Sequence, residues 1–218
     1  EAYAPLLRLS ATLPSPAMNP LQDCIEALEQ YLVQNHHRTA ALILEPLVQG
    51  AAGMAMYSPD YLVAVRRLCD QYQVHWIADE IAVGFGRTGT MFACEQADIT
   101  PHFLCLSKGL TAGYLPMSVV MTTEAIYAAF YDRYDSLKGF LHSHSYTGNA
   151  LAARAALASL DIFASDNIIE NNRLLAQTMA EALAPLADHP NVLEVRQVGM
   201  IAAIELVQDR KTRAPFDW

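Results

Sequence analysis

Two charged residues, Asp79 and Lys108, each end a short apolar run. Val74-His75-Trp76-Ile77-Ala78 leads into Asp79-Glu80, and Phe103-Leu104-Cys105-Leu106 leads into Ser107-Lys108-Gly109. Continuous apolar runs of this length, bounded by polar or glycine residues, are the pattern of strands buried on both faces. Each run then delivers one charge to the carboxyl end of a strand, the edge at which open α/β sheets bind ligands. A carboxylate and an amine brought separately to one crevice suggest chemistry. An unpaired buried carboxylate costs several kcal/mol, so Asp79 needs a cationic partner if it is as enclosed as its strand implies. A lysine desolvated at a strand end keeps its amine free and forms an imine with an aldehyde.

Each feature also has an ordinary reading. Asp79-Glu80 fits a solvated loop or helix cap equally well, and Lys108 alone fits a surface lysine. An acidic strand end also holds magnesium in P-loop NTPases, but the GxxxxGK[ST] loop that this requires is absent from these residues. Gly84-Phe85-Gly86-Arg87-Thr88-Gly89 matches the GxGxxG dinucleotide fingerprint by letter only. Four residues separate it from the strand, and no acid follows near position 109, so it reads as a tight loop near the crevice. His142-x-His144 has the spacing of a metal pair without further ligands, and no metal is assigned. The hydroxyls and backbone N–H groups of Ser143 to Asn149, just before a helix starting near Gly148, suit a phosphate better. A carboxylate, a lysine and a phosphate nest together are what pyridoxal phosphate requires: an imine partner, a group that keeps the ring nitrogen protonated, and an anion cradle.

The elements that must position these groups alternate along the chain. Residues 1–20, with four prolines, form a connecting segment. Leu21 to His37 is a helix by its apolar spacing, with the acids Asp23, Glu26 and Glu29 near its start. Ala40 to Leu44 is a buried strand ending in Glu45-Pro46, and Gln49 to Gly53 a loop. Ser58-Pro59-Asp60 starts a helix with Pro at its first position, with Tyr61, Val65, Leu68 and Tyr72 on one face. After the two charged strands come a strand at 116–121, a helix capped by Thr123, and a polar loop at 132–147. Helices from Ala150 to Phe163 and Asn167 to Ala187 follow, then strands at 192–195 and 200–206. Alternating strand and helix give an α/β class with a mostly parallel sheet.

A 53% hydrophobic, 17% charged chain of 218 residues builds a sizeable core. The net charge of -9, without a basic cluster, argues against a nucleic-acid surface. No run approaches the ~18 apolar residues of a membrane span, and no secretory signal opens the chain. Cys24, Cys69, Cys94 and Cys105 show no CxxC spacing, which points to a reduced, cytoplasmic setting. The chain opens without Met and stops at Pro215-Phe216-Asp217-Trp218, so we read it as a piece of a longer polypeptide.

Glu45-Pro46 with Gln49-Gly50, Ile77-Ala78-Asp79-Glu80-Ile81 with the glycine loop, and Ser107-Lys108-Gly109 together resemble the class III pyridoxal-phosphate aminotransferases. The resemblance covers roughly Ala40 to Leu206. It implies a fold-type I transferase, with residues 1–165 the cofactor-binding large domain and 166–218 an interdomain helix and the start of a small α+β C-terminal domain. It also implies that Lys108 is the imine-forming lysine and proton shuttle, that Asp79 binds the ring nitrogen, and that Glu45 and Glu80 support them. Ile81, two residues beyond Asp79 and on the same side of an extended chain, would pack on the ring. Ser145 stands where the family has a phosphate-binding Thr given by the neighbouring subunit. Ser145 with His144 would complete the phosphate site across a homodimer, and Ser143 would contact substrate. Ala82 stands where ornithine and 4-aminobutyrate aminotransferases usually carry Gln. Met56-Tyr57, Met91 to Glu95, Leu104 to Leu106 and Thr122-Thr123 are similar to a branch of the family that serves biotin synthesis.

Overall fold

The structure, a computed structural model, describes residues 10–217. The first nine residues of the expected connecting segment and Trp218 lie outside the described residues; from Ser10 to Pro20 the chain has no helix or strand. Helix α1 (Leu21–Asn35) carries Asp23 in its first turn, where the helix dipole favours an acid, and fully buries Cys24, Leu28 and Leu32. Strand β1 (Ala41–Leu44) follows. The loop expected at Gln49 to Gly53 is the turn of a small antiparallel hairpin, β2 (Val48–Gln49) and β3 (Ala55–Met56), with only Gln49 of it paired as strand. Helix α2 (Asp60–Gln71) begins one residue after the expected Pro, which lies at the cap position instead. It buries Tyr61, Leu62, Val65, Leu68 and Cys69. Each large side chain fully enclosed on that face contributes roughly 1.5–3 kcal/mol.

Strands β4 (His75–Asp79), β5 (Phe103–Leu106) and β6 (Val119–Thr122) join β1 in one sheet of order β1-β4-β5-β6. The first three are parallel and β6 is antiparallel to β5, so the class is α/β with a mostly parallel sheet, as read from the sequence. Pairing of β6 begins at Val119 opposite Leu106, later than expected. Residues 116–118 are instead held by the side chain of Ser107, whose hydroxyl donates to the Met117 carbonyl at 2.7 Å.

Burial on both sheet faces was expected, and the described residues do not provide it. Leu42, Leu44, Trp76, Ala78 and Leu104 pack with α1 and α2 in the main core. The alternate residues Ile43 and Val120 are each 63% exposed. Among the described residues no helix covers that second face. Side-chain alternation puts Glu45, Asp79 and Cys105 on it as well.

Helix α3 (Glu124–Phe130) is capped by Thr123, whose hydroxyl accepts the Ile126 N–H at 3.4 Å. Helix α4 (Ala150–Ser165) packs Ala156 against Phe85, Leu106 and Leu110. Helix α5 (Ile168–Leu183) leads to the antiparallel hairpin of β7 (Val192–Val198) and β8 (Ile201–Leu206). The turn of that hairpin docks on the glycine loop: the Met200 N–H donates to the Arg87 carbonyl at 2.8 Å. Gly199 makes the approach possible. Its φ is +56°, and a Cβ there would lie 2.5 Å from the Thr88 carbonyl carbon.

Candidate active site

Strand register assembles the site. Leu44 pairs with Ala78, Ala78 with Leu104, and Asp79 with Cys105. Glu45, Asp79 and Cys105 therefore form one row across the carboxyl ends of three adjacent parallel strands, and Lys108 follows three residues later. The strands are about 4.8 Å apart, so the row spans about 10 Å.

Asp79 is half-buried, and its Oδ1 accepts the Ile81 N–H at 3.1 Å. That bond turns the chain immediately after the strand. The extended path expected from Asp79 to Ile81 is thus wrong: the carboxylate captures the second amide and ends the ladder. Ile81 nonetheless lines the cleft into which the strands open.

Glu80 departs from its neighbour. It is fully buried, and its carboxylate accepts the N–H groups of Ala93 at 2.7 Å and Cys94 at 2.9 Å. Its own N–H donates to the Cys105 carbonyl at 3.0 Å, and its carbonyl accepts the Gly84 N–H at 3.0 Å. Burial pushes its carboxyl up from the usual range, while the Cys94 and Ala93 N–H bonds pull it back. Glu80 is the anchor of the turn that presents Asp79.

Lys108 does not continue the strand. It opens a 3-10 turn (Lys108–Thr111) with φ +42°, a left-handed backbone that is strained for a side chain larger than glycine. Gly109 must be glycine, because a Cβ there would lie 2.8 Å from that of Phe85. Phe85 is itself held edge-on by Phe92 at 5.8 Å. The desolvation expected of Lys108 is absent in this chain: its side chain is exposed, since the open sheet face leaves it without a covering wall.

Lys108, Ile81 and Glu45 line one cleft of about 880 Å³. Its remaining walls come from the β2–β3 turn, the glycine loop and Met200 to Ala202 at the start of β8. Glu45 Oε2 accepts the Gly50 N–H at 3.0 Å. Its carboxyl is pushed up by burial, pulled down by that bond, raised again by the charge of Asp79 and lowered by that of Lys108. The charges of Asp79 and Lys108 thus both act on a third group, Glu45, so all three share one electrostatic neighbourhood.

The second cluster is not brought here. Ser143, His144 and Ser145 lie in an exposed loop and are absent from the cleft walls. Helix α4 explains why. It touches the Lys108 turn through Ser159, whose hydroxyl donates to the Gly109 carbonyl at 3.3 Å. Ala150, at the start of the helix, is nine residues from Ser159, or about 14 Å of rise. The expected anion nest is also partly occupied: Asn149 Oδ1 accepts the N–H groups of Leu151 and Ala152, each at 3.0 Å. The Ser145 hydroxyl bonds nothing among the described residues.

Sequence reasoning missed the walls given by Met54 and Met200 to Ala202. Met54 is only nine residues from Glu45, but Met200 to Ala202 reach the cleft across more than a hundred residues from the glycine loop, which no local pattern signals.

Over residues 4–216 the sequence matches the family described as aminotransferase class-III. It is 48% identical over 193 residues to the adenosylmethionine-8-amino-7-oxononanoate aminotransferase of Nitratidesulfovibrio vulgaris, covering 88% of this chain and 36% of that protein. The Helicobacter pylori protein of the same name is 46% identical over 218 residues, covering 98% of this chain and 50% of its own. The crystal structure of the Methanocaldococcus jannaschii aminotransferase of that name superposes with a TM-score of 0.92 at 36% identity, covering 100% of this chain and 50% of that one. The chain spans half or less of the length of these relatives.

Proposed function

This chain belongs to the class III aminotransferases, and from that premise we propose that the whole protein transfers an amino group with pyridoxal phosphate as cofactor. The donor is S-adenosylmethionine and the acceptor 8-amino-7-oxononanoate, giving 7,8-diaminononanoate for biotin synthesis. Relatives at 46–48% identity whose names carry both compounds support this choice. The observation that carries the reading is the row of Glu45 and Asp79 beside Lys108 on one open sheet edge, with their charges coupled at Glu45.

The residues present fit the cofactor. A half-buried carboxylate at the end of β4 suits a protonated ring nitrogen, and an amine three residues beyond the neighbouring strand row suits the aldehyde at the opposite side of the ring. When bound, pyridoxal phosphate supplies an electron sink for the carbanion left as the substrate loses its α-proton. Asp79 holds the ring nitrogen proton in place. Ile81 covers the ring face. Lys108 Nζ would take the substrate's α-proton and deliver it to the carbon that is the cofactor's aldehyde, a role that needs a free amine at the end of a mobile stem. Glu80 keeps Asp79 aimed, and Glu45 holds the β2–β3 turn at the cleft through the Gly50 N–H.

His144 and Ser145 serve the phosphate of the neighbouring subunit in a homodimer, and Ser143 meets substrate there. The exposed apolar side chains in the same stretch support a covered surface: Tyr134 is 97% exposed, Leu141 94% and Leu137 85%. We place the large domain at residues 1–165 and the interdomain helix with the start of the small domain at 166–218. The net charge of -9 and four free cysteines support a cytoplasmic protein without nucleic-acid partners. Among the described residues no helix is long and apolar enough to cross a membrane.

Borohydride reduction of the full-length protein with added pyridoxal phosphate, followed by peptide mapping, tests the reading. A pyridoxyl label on Lys108, lost in Lys108→Ala together with turnover, is the expected result. A folded protein that takes no label refutes it. Half-reactions then decide the donor: bleaching by simple amines or ω-amino acids, with none by S-adenosylmethionine, assigns the chain to another branch of the family.

A further inference from the structure

The two lips of the cleft belong to segments far apart in sequence, and one hairpin touches both. The first lip is the turn Gly50–Met54 between β2 and β3, which supplies Ala51 and Met54 to the cleft and the N–H that holds Glu45. The second is the glycine loop, which supplies Gly84, Phe85 and Arg87. The β7–β8 turn is bonded to the second lip through Met200 and Arg87, and Met200, Ile201 and Ala202 form the wall between the lips. On the other side Arg196 of β7 reaches across to the first lip, donating from Nη2 to the Gly53 carbonyl at 3.0 Å.

Arg196 is built to hold that direction. Its side chain is only 18% exposed. Its Nη1 is shared by Glu194 at 2.7 Å and by Glu205 of the facing strand, so two carboxylates fix the guanidinium plane. A planar guanidinium held at one terminal nitrogen by two acceptors aims its other terminal nitrogen in a single direction, which a lysine does not do. Its Nε is buried without a partner, a cost borne by the fold for this orientation. The Gly53 carbonyl belongs to a turn whose neighbouring amides close locally: Met54 N–H on the Gly50 carbonyl at 3.2 Å, and Gly50 N–H on Glu45.

We propose that Arg196 is a positioning residue that clamps the Gly50–Met54 lip against the β7–β8 hairpin, and so sets the width of the substrate cleft and the placement of Glu45. This rests on the transaminase reading for its effect on substrate, but the clamp itself is a property of the fold and is measured without substrate or cofactor. Arg196 touches no reacting atom. It acts through the turn it holds.

The test is amide hydrogen exchange in the full-length protein and in Arg196→Met, which removes every N–H and keeps the apolar stem. The Gly50 and Met54 amides are expected to exchange roughly three- to tenfold faster, the loss of one partly exposed hydrogen bond. The β7–β8 ladder around Val195 and Ile204 is expected to keep its protection. In Arg196→Lys, which cannot hold both carboxylates and the carbonyl, the same amides are expected to move in the same direction by less; this variant carries the test if Arg196→Met does not fold. Unchanged exchange at Gly50 and Met54 overturns the proposal. So does acceleration spread evenly over the hairpin, which makes Arg196 a brace for its own sheet alone. With substrates, KM is expected to rise several-fold with kcat within about twofold, since a wider cleft weakens binding in ground and transition states alike. A wild-type protein without transaminase activity would sink the function proposed above and leave the exchange result standing.

Discussion

Truncating Glu80 measures how much the site depends on a residue that never meets the substrate. In Glu80→Ala the N–H groups of Ala93 and Cys94 lose their acceptor inside a site closed to water. Each orphaned buried donor costs about 1–3 kcal/mol, and the emptied stem adds about 1 kcal/mol of lost packing. Against this stands the burial of the charge itself, which pushes the carboxyl up despite two hydrogen bonds, so its removal returns part of the loss. The balance is a destabilisation of about 3 kcal/mol. Glu80→Gln keeps one acceptor and removes the charge, but turns its amide nitrogen toward the second N–H; about 1 kcal/mol is expected. Urea unfolding of the full-length protein and both variants, with amide exchange at Ala93 and Cys94 as the local probe, separates the two cases. Equal losses in Ala and Gln, or an Ala loss under about 0.5 kcal/mol, would refute the argument that the two N–H bonds outweigh the cost of burying the charge.

Three further outcomes follow from the same geometry. Gly109→Ala drives a Cβ to 2.8 Å from Phe85 and is expected to cost about 1–3 kcal/mol; Phe85→Leu in the same chain should recover part of it in thermal unfolding, and no recovery would mean the strain lies elsewhere. Asp79→Asn leaves the fold in place but removes the carboxylate charge at the end of β4, so proton abstraction should slow by at least tenfold in single-turnover kinetics, an unchanged rate removing Asp79 from its role. His102 accepts the Trp76 N–H on Nδ1 at 3.0 Å and meets Asp70 through Nε2 at 3.4 Å. Burial, with Arg66 and His75 nearby, holds it below its ordinary 6.5, against the opposing pull of Asp70. The unfolded chain therefore binds the extra proton first: stability is full above about pH 6.5 and falls as pH drops below it. His102→Gln should flatten that slope in unfolding midpoints measured between pH 7.5 and 5.5, and an unaltered slope would assign it to other groups.

Part of this protein was legible before any coordinates. The apolar runs that precede Asp79 and Lys108 identify two neighbouring parallel strands, because burial makes a strand announce itself by composition and a charge at its end stands out against it. Thr123, the acids opening α1 and the apolar face of α2 were equally readable, since capping, dipole and periodicity are local effects. What only the tertiary structure decided is which of two adjacent carboxylates is buried and which faces the open sheet edge. Asp79 and Glu80 are the same chemistry one residue apart, yet side-chain alternation and a 3-10 turn thirteen residues later bury one against two amides and leave the other on the open face. The same holds for Gly109, whose necessity lies in a phenylalanine 24 residues away, and for Arg196, which meets a carbonyl 143 residues distant. Register, packing and contact across long stretches of chain carry no local signal, because the energy that sets them exists only once distant segments have met.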